Sequence, residues 1–180
     1  IEENNISTLL ELGCGQGRDS LFFTNFVSNV TSVDISENAI NFVKKIKNER
    51  NLTNLDLFVH DIKEPLDFPD KSFDMVYSNL ALQFFDINQL NKIFLNISKI
   101  MSNDSFFMFS TKKSGDKYFN FGKKISENSF EYKDITRYFF EKSEITHLLE
   151  QNFQIISFEE DEHQNLDNTI SAWWKILVKN

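Results

Sequence analysis

The chain has 180 residues, of which 41% are hydrophobic and 26% charged, a composition typical of a globular protein with one well-formed core. Its formal net charge of −8 repels phosphate backbones and argues against a nucleic-acid partner. No apolar run reaches the roughly 18 residues of a membrane span and no signal-peptide pattern is visible, so we expect a cytoplasmic protein without a membrane anchor. The one cysteine, Cys14, excludes an internal disulfide, and the three histidines are too scattered to suggest a metal site.

The first two thirds of the chain predict strands that alternate with helices. Short apolar runs predict strands at residues 8–12, 30–34, 55–59, 73–78 and 105–110. Helices are predicted at 19–26, after Ser36, and from Asp86 to about Met101, where Asp86 and Gln89 have the spacing of a capping box. This alternation indicates a parallel sheet covered by helices on both faces.

The pattern changes towards the end of the chain. Residues 111–140 are polar, contain many aromatic side chains, and predict no regular element. A helix is predicted at 143–151, followed by strands at 153–159 and 170–178. Because only a short polar stretch separates these two strands, we expect them to pair antiparallel. The prediction is therefore one α/β domain over residues 1–180, with a mostly parallel, seven-stranded sheet that ends in an antiparallel hairpin.

A glycine-rich turn follows the first predicted strand, where residues 11–17 read Glu-Leu-Gly-Cys-Gly-Gln-Gly. Glycines at this point let the backbone turn tightly and approach a ligand, and the helix behind them offers free N–H groups to an anionic group. A dinucleotide fingerprint places its third glycine at the position of Arg18, whereas here it falls one residue earlier, at Gly17. This spacing counts against a nicotinamide cofactor.

Two carboxylates follow the next two predicted strands. Asp34 ends the second strand, where it can accept hydrogen bonds from ribose hydroxyls or else cap the following helix. Asp61 follows the third strand, where it can accept from an adenine amino group or else be a solvated loop acid. Because open α/β sheets bind ligands at the carboxyl ends of their strands, we expect both residues to lie beside the glycine-rich turn.

Taken in order, these motifs resemble those of the class I S-adenosylmethionine (SAM) dependent methyltransferases. The matching segments are residues 10–17, Val-Asp-Ile-Ser at 33–36, His-Asp-Ile at 60–62 and Phe-Asp-Met-Val-Tyr-Ser-Asn-Leu-Ala-Leu at 73–82. Within the family, Gly-Gln-Gly-Arg-Asp-Ser-Leu at 15–21 is similar to small-molecule methyltransferases of the tellurite-resistance type. Four motifs in the family's order are specific, although each alone is a weak signal.

The resemblance implies a Rossmann-like methyltransferase fold with SAM as cofactor. The cofactor-binding residues that it implies are Glu11, Gly13, Gly15 and Gly17 for the methionine end, Asp34 for the ribose, Ile35, Asp61 and Ile62 for the adenine, and Asn79 beside the reacting methyl. No catalytic residue is assigned, because SAM carries an activated methyl and a general base is needed only for a protonated acceptor.

The acceptor is expected to be a small molecule. Asn79 is followed by Leu80 rather than by the Pro-Pro-aromatic sequence of enzymes that methylate amino groups of nucleic-acid bases, and no Pro-Cys nucleophile is present. The candidate substrate residues are Phe84, Tyr118 and Arg137. The aromatic side chains around Arg137 form either an acceptor pocket or part of the core, and Arg137 binds an anionic substrate or pairs with a surface acid such as Asp134.

Two further alternatives stay open from the sequence. One is a nicotinamide-dependent oxidoreductase, and the other is a SAM-binding module or partner subunit without catalytic activity. Family members usually carry helices before the first strand that close over SAM, whereas six residues precede Ser7 here. Either the sequence is trimmed or the site is unusually open.

Overall fold

The protein is described by a computed structural model that covers residues 5–180. Its first part contains β1 (Thr8–Leu12), α1 (Arg18–Phe23), β2 (Asn29–Asp34), α2 (Glu37–Glu49), β3 (Leu55–Val59), β4 (Phe73–Asn79), a 3-10 turn (Leu82–Phe84), α3 (Ile87–Ile100) and β5 (Met101–Lys112). The remainder contains β6 (Lys123–Ser126), β7 (Ser129–Tyr132), β8 (Ile135–Tyr138), α4 (Lys142–Leu149), β9 (Gln154–Gln164) and β10 (Ile170–Lys179).

The main sheet has seven strands in the order β3-β2-β1-β4-β5-β10-β9. Strands β1 to β5 pair parallel with one another, and β10 pairs antiparallel with both β5 and β9. The predicted seven-stranded, mostly parallel sheet with an antiparallel end is therefore confirmed. Since β2 and β4 lie on opposite sides of β1, the strand order reverses there, and such switch points are where open α/β sheets bind ligands.

Alternating residues of the central strands supply an apolar core on each face of the main sheet. Leu9 and Met75 pack in the cluster that includes residues of α1 and α2, whereas Leu10 and Val76 pack in the cluster that includes α3 and α4. This alternation follows from the two-residue period of a strand. The helices on both faces hold the strand ends, and hence the turns that follow them, in fixed positions.

The helix starts follow the predicted capping residues. The Asp86 carboxylate accepts from the backbone N–H of Gln89 at 2.9 Å, and the Gln89 side chain accepts from the N–H of Asp86 at 2.9 Å, which completes the capping box of α3. Ser36 caps α2 by accepting from the N–H of Ala39 at 3.2 Å. Both helices begin directly after turns that contribute to the site.

The prediction that residues 111–140 lack regular structure is wrong. Strands β6, β7 and β8 form a second, three-stranded antiparallel sheet in this segment. Phe119, Phe130 and Phe139 pack edge to face beneath it, with ring centroids between 5.3 and 6.1 Å apart. The aromatic side chains of the segment thus build a small core of their own, and this core stabilises strands that are only four residues long.

Trp173 and Trp174 point to opposite faces of β10, as adjacent strand residues must. The Trp174 ring packs against the core below α3 and α4, and its indole N–H donates to the carbonyl of Phe140 at 2.8 Å. Trp173 lies on the other face, where the Lys112 ammonium is 5.8 Å from its ring centroid. Of the helices in residues 5–180, none is long and apolar enough to cross a membrane.

Candidate active site

A cleft of about 500 Å³ opens at the carboxyl ends of β1, β2, β3 and β4. It is lined by Gly13, Gly15, Asp34, Ile35, Asp61, Ile62, Lys63, Leu80, Ala81, Phe84, Phe85 and Gln89. The structure thus brings the glycine-rich turn and both predicted carboxylates to one cavity. Of the predicted cofactor residues, Glu11, Gly17 and Asn79 do not line it.

The three glycines of the turn all have positive φ, but they differ in what surrounds them. A Cβ added to Gly13 would overlap the Cβ of Ala81, so this glycine lets the turn after β1 contact the turn after β4. A Cβ added to Gly17 would lie 2.6 Å from a methyl of Val43 in α2. Gly15, at φ +52°, has no atom within 4 Å of an added Cβ. Gly15 is therefore the glycine of the turn that faces open space at the cleft.

Asp34 connects the glycine-rich turn to the start of α2. One carboxylate oxygen accepts from the backbone N–H of Gly15 at 2.7 Å, and the other accepts from the N–H of Ser36 at 2.8 Å. A carboxylate has about four lone-pair sites, so these two bonds leave acceptor capacity for a ligand. The neighbouring Ile35 is 65% exposed at the cleft and offers an apolar surface to a flat ring.

Asp61 is engaged by Lys63, which the sequence analysis did not single out. One Asp61 oxygen accepts from the backbone N–H of Lys63 at 3.0 Å, and the other lies 3.2 Å from its ammonium. The adjacent Ile62 is buried and contributes apolar surface to the cleft. The structure leaves both interpretations of Asp61 open, since the residue lines the cleft and also forms a local ion pair.

Glu11 lies behind the glycine-rich turn rather than in the cleft. Its carboxyl is 3% exposed and accepts from the hydroxyls of Ser20 and Ser32, the latter at 3.1 Å. Burial raises the pKa of Glu11 to about 7, although the two serine hydroxyls act in the opposite direction. Glu11 therefore joins β1, β2 and α1 beneath the turn as a buried acid.

Asn79, at the end of β4, belongs to a hydrogen-bonded network next to the turn. Its amide nitrogen donates to Asp19 at 3.1 Å, and its amide oxygen accepts from the hydroxyl of Ser110 at 2.6 Å. Asp19 also accepts from the Tyr77 hydroxyl at 3.1 Å, and burial raises the pKa of Tyr77 above its ordinary value. The sequence did not predict a role for Asp19 at the site. The signal that could have indicated one is its position as an acid in the first turn of α1.

Leu80 follows Asn79 in a left-handed backbone conformation, at φ +53°. Its N–H donates to the backbone carbonyl and to the hydroxyl of Ser110, at 3.2 and 3.0 Å. A non-glycine residue in this conformation costs about 1 kcal/mol, and such strain is often found at functional sites. The bend turns the chain from β4 into the 3-10 turn, which brings Ala81 and Phe84 to the cleft.

The three predicted substrate residues form one cluster. Phe84 lines the cleft, and the Arg137 guanidinium carbon lies 5.8 Å from its ring centroid and 4.6 Å from that of Tyr118. The alternative pairing with Asp134 is absent, because among residues 5–180 no carboxylate oxygen lies within 4.0 Å of the Arg137 nitrogens. Of the other late aromatic residues, Phe139 and Phe140 are buried.

The groups near the cleft that could ligate a metal or act as a nucleophile are carboxylates and the thiol of Cys14. The described part of the chain contains no group of three His, Cys, Asp or Glu side chains arranged to hold a metal ion. Cys14 lies buried within the turn, and burial raises the pKa of its thiol to about 12. A thiol that stays protonated is a poor nucleophile, so Cys14 acts as a small packed residue.

Comparisons with known proteins agree with this geometry. A family model described as a methyltransferase domain matches residues 3–164, and the chain belongs to this family. TehB of Haemophilus influenzae, a probable SAM-dependent methyltransferase, is 32% identical over 91 residues, which are 51% of this chain and 31% of that protein. A malonyl-(acyl-carrier protein) O-methyltransferase of Buchnera aphidicola is 32% identical over 114 residues, which are 63% of this chain and 42% of that protein.

The solved structure of a SAM-dependent methyltransferase from Methanosarcina mazei has the same fold. It superposes with a TM-score of 0.82 at 20% identity, over 96% of this chain and 92% of that one. The predicted Rossmann-like methyltransferase fold is thereby confirmed. The chain spans less than half the length of either curated relative, because the aligned regions cover 31% and 42% of those proteins.

Proposed function

We propose that this chain binds SAM in the cleft and transfers its methyl group to a small-molecule acceptor. The observation that carries the proposal is the convergence of Gly15, Asp34 and Asp61 on one cleft at the switch point of a methyltransferase-domain sheet. Because Gly13 and Gly17 are also required by packing, Gly15 and the two carboxylates are the more informative residues.

The residues of the cleft fit the parts of SAM. The remaining acceptor capacity of Asp34 suits ribose hydroxyls, and the exposed side chain of Ile35 suits an adenine face. Asp61 accepts from an adenine amino group in this assignment, with Lys63 holding its orientation. The open space at Gly15 admits the methionine portion beside the turn that follows β1.

The contribution of the chain to the reaction is orientation. When bound, SAM supplies a methyl on a positively charged sulfur that is already activated for displacement. The strained Leu80 and the Asn79 network fix the wall beside the proposed methionine site, and Phe84 and Phe85 give the cleft an apolar lining. Holding two reactants in line contributes up to about 7–11 kcal/mol to lowering a barrier, so no acid–base residue is required for an unprotonated acceptor.

Calorimetric titration with S-adenosylhomocysteine (SAH), the demethylated product, tests the proposal at Asp34. Asp34→Ala is expected to weaken SAH binding by at least about tenfold, because hydrogen bonds to a charged acceptor are lost. Asp34→Asn keeps one acceptor oxygen, so its SAH affinity is expected to lie between those of the wild type and Asp34→Ala. The matched control is Asp56→Ala, which removes a carboxylate that is 70% exposed on β3.

Unfolding curves of all variants must accompany the titration, because Asp34 also holds the turn through Gly15 and Ser36. Equal SAH affinity in folded Asp34→Ala and Asp56→Ala would show that the ribose assignment is wrong. Retained SAH affinity without turnover of any acceptor would favour the SAM-binding module over the enzyme. The cytoplasmic location expected from the sequence stays a prediction.

A further inference from the structure

Arg137 on β8 stands at the edge of the cleft. Its guanidinium carbon lies 4.6 Å from the ring centroid of Tyr118 and 5.8 Å from that of Phe84. Phe84 is 42% exposed and lines the cleft. The second sheet therefore presents a cation to the side of the cleft that is formed by the 3-10 turn, rather than to the side of Asp34 and Asp61.

A second cation lies against the same aromatic ring. The Lys117 ammonium is 5.6 Å from the ring centroid of Tyr118. Within the described range, 5–180, neither Lys117 nor Arg137 has a carboxylate oxygen within 4.0 Å of its charged nitrogens. In a chain with a net charge of −8, two cations at one ring form a local attraction for a negatively charged ligand.

The ring that carries both cations is held by a buried anchor. The backbone N–H of Tyr118 donates to Asp116 at 3.0 Å, and Asp116 is 3% exposed. Asp116 also forms an ion pair with the buried Lys112 and accepts from the N–H of Ala172 at 2.9 Å. The anchor joins the Tyr118 segment to β5 and β10, so the backbone that carries the Tyr118 ring is fixed before any ligand arrives, which lowers the entropic cost of binding.

The chemistry of a guanidinium over a ring suits recognition of an oxyanion. A guanidinium that stacks on a ring does so through its face, and its N–H groups then point outward in its plane. These donors match the two oxygens of a carboxylate or the oxygens of a phosphate. A lysine ammonium next to it adds charge without a fixed geometry.

We propose that Arg137 and Lys117, on the Tyr118 ring, bind an anionic group of the methyl acceptor, a carboxylate or a phosphate. This inference rests on the proposed methyl transfer and names the acceptor class for the same cleft. The bound group is an anchor and not the methylated atom. An oxyanion that accepts hydrogen bonds from a guanidinium is a weaker nucleophile, so a second atom of the acceptor takes the methyl.

The test uses the full chain with two probes, succinate and inorganic phosphate, titrated in the presence and absence of saturating SAH. Two-dimensional amide NMR spectra report the binding, with Tyr118 and Arg137 as the reporting positions. The variants are Arg137→Gln, which removes the charge, and Arg137→Lys, which keeps the charge without the planar fork. Arg50→Gln is the matched control, because Arg50 is an exposed residue that follows the last turn of α2.

We expect at least one probe to shift the reporting amides and Arg137→Gln to weaken that binding by about tenfold or more. Arg137→Lys should retain part of the affinity, and Arg50→Gln all of it. Tighter binding of succinate supports a carboxylate, and tighter binding of phosphate supports a phosphate. The proposal is overturned if neither probe binds, or if Arg137→Gln and Arg50→Gln behave alike.

SAH calorimetry on the same variants separates this inference from the proposed function. Arg137→Gln is expected to keep the SAH affinity of the wild type, since Arg137 stands on the acceptor side. Loss of SAH binding in Arg137→Gln would overturn the acceptor assignment and make Arg137 part of the cofactor site. A wild-type chain that binds no SAH but still binds an anion at Arg137 would contradict the proposed function while leaving the anion site in place.

Discussion

At the scale of single residues, the glycine-rich turn divides into positions that packing requires and one that faces open space. Gly13 and Gly17 are surrounded by Ala81 and Val43, whereas Gly15 has no neighbour where a side chain would project. All three have positive φ, so any replacement pays the cost of left-handed backbone. Gly13 and Gly17 therefore matter for the stability of the turn, whereas Gly15 matters for its capacity to bind a ligand.

Gly15→Ala and Gly17→Ala are therefore expected to differ in their effects on SAH affinity and on the free energy of unfolding. Gly15→Ala should lower the free energy of unfolding by about 1 kcal/mol, the cost of the left-handed conformation, and should weaken SAH binding by about tenfold because its methyl enters the cleft. Gly17→Ala adds a clash with Val43 and should lower the free energy of unfolding by about 2–4 kcal/mol. Urea unfolding and SAH calorimetry measure the two effects. Unchanged SAH affinity in Gly15→Ala would count against a ligand at this position.

Glu11 predicts a pH dependence of stability. Burial raises its pKa from the ordinary 4.5 to about 7 in the folded chain, so the folded state binds more protons than the unfolded state between these values. The contribution of Glu11 to stability is then highest below its unfolded pKa and falls as the pH rises to about 7, by up to about 3 kcal/mol. Glu11→Gln stays neutral and should lack this fall.

Urea unfolding of the wild type and Glu11→Gln at about pH 5 and about pH 8 measures the effect. The change in the free energy of unfolding between the two pH values is compared between the two chains, because the contributions of the other titrating groups then cancel. Identical pH dependence in both chains would mean that Glu11 is ionised in the folded state across this range. The hydroxyls of Ser20 and Ser32 would then outweigh its burial.

The sequence was informative for residues whose backbone position is set by the strand order. Asp34 and Asp61 follow strand ends, so a parallel sheet was enough to predict that both would reach one edge. Lys63 and Asp19 act through side-chain contacts with residues already predicted, and no spacing in the chain reveals such contacts. The position of Glu11 before the turn is visible in the sequence, but its burial behind the turn depends on the packing of α1.

At the scale of elements, the three-stranded sheet is the part that sequence patterns could not predict. Strands β7 and β8 are joined by Lys133 and Asp134, both with positive φ, at +53° and +59°. Two consecutive positive φ values are typical of a type I′ hairpin turn, which Asn-Gly favours strongly and Lys-Asp does not. Because Asn-Gly is absent, the conformation of the turn is stabilised by the aromatic core of Phe119, Phe130 and Phe139 rather than by the conformational preferences of Lys133 and Asp134.

Replacing Lys133-Asp134 with Asn-Gly is therefore expected to stabilise the second sheet. The change relieves two left-handed residues and should raise the local stability by about 1 kcal/mol. Slower hydrogen exchange of the β7 and β8 amides measures the effect. The matched control is Asn-Gly at Glu127-Asn128, the turn between β6 and β7, where neither residue has positive φ and no gain is expected. A loss of protection in the first variant would contradict the hairpin geometry.

At the scale of the whole molecule, the turns of the main sheet line the cleft, and the second sheet lies beside the 3-10 turn at the edge of that cleft. The main sheet brings the turns after β1, β2 and β3, with the carboxylates that suit a nucleoside. The second sheet brings Arg137 next to Phe84, in a chain whose net charge of −8 would otherwise repel an anion. In the proposed function, the seven-stranded sheet supplies the cofactor residues and the second sheet supplies Arg137 for the acceptor, so the specificity would reside in the site rather than in the fold.

The measurement that tests the central claim most directly is calorimetric titration of the wild-type chain with SAH and, separately, with NADH. Binding of SAH without binding of NADH is the predicted result, because the third glycine of the turn stands at Gly17 rather than at the position of Arg18. Binding of NADH without SAH would contradict the account and would favour the nicotinamide-dependent oxidoreductase that the sequence left open.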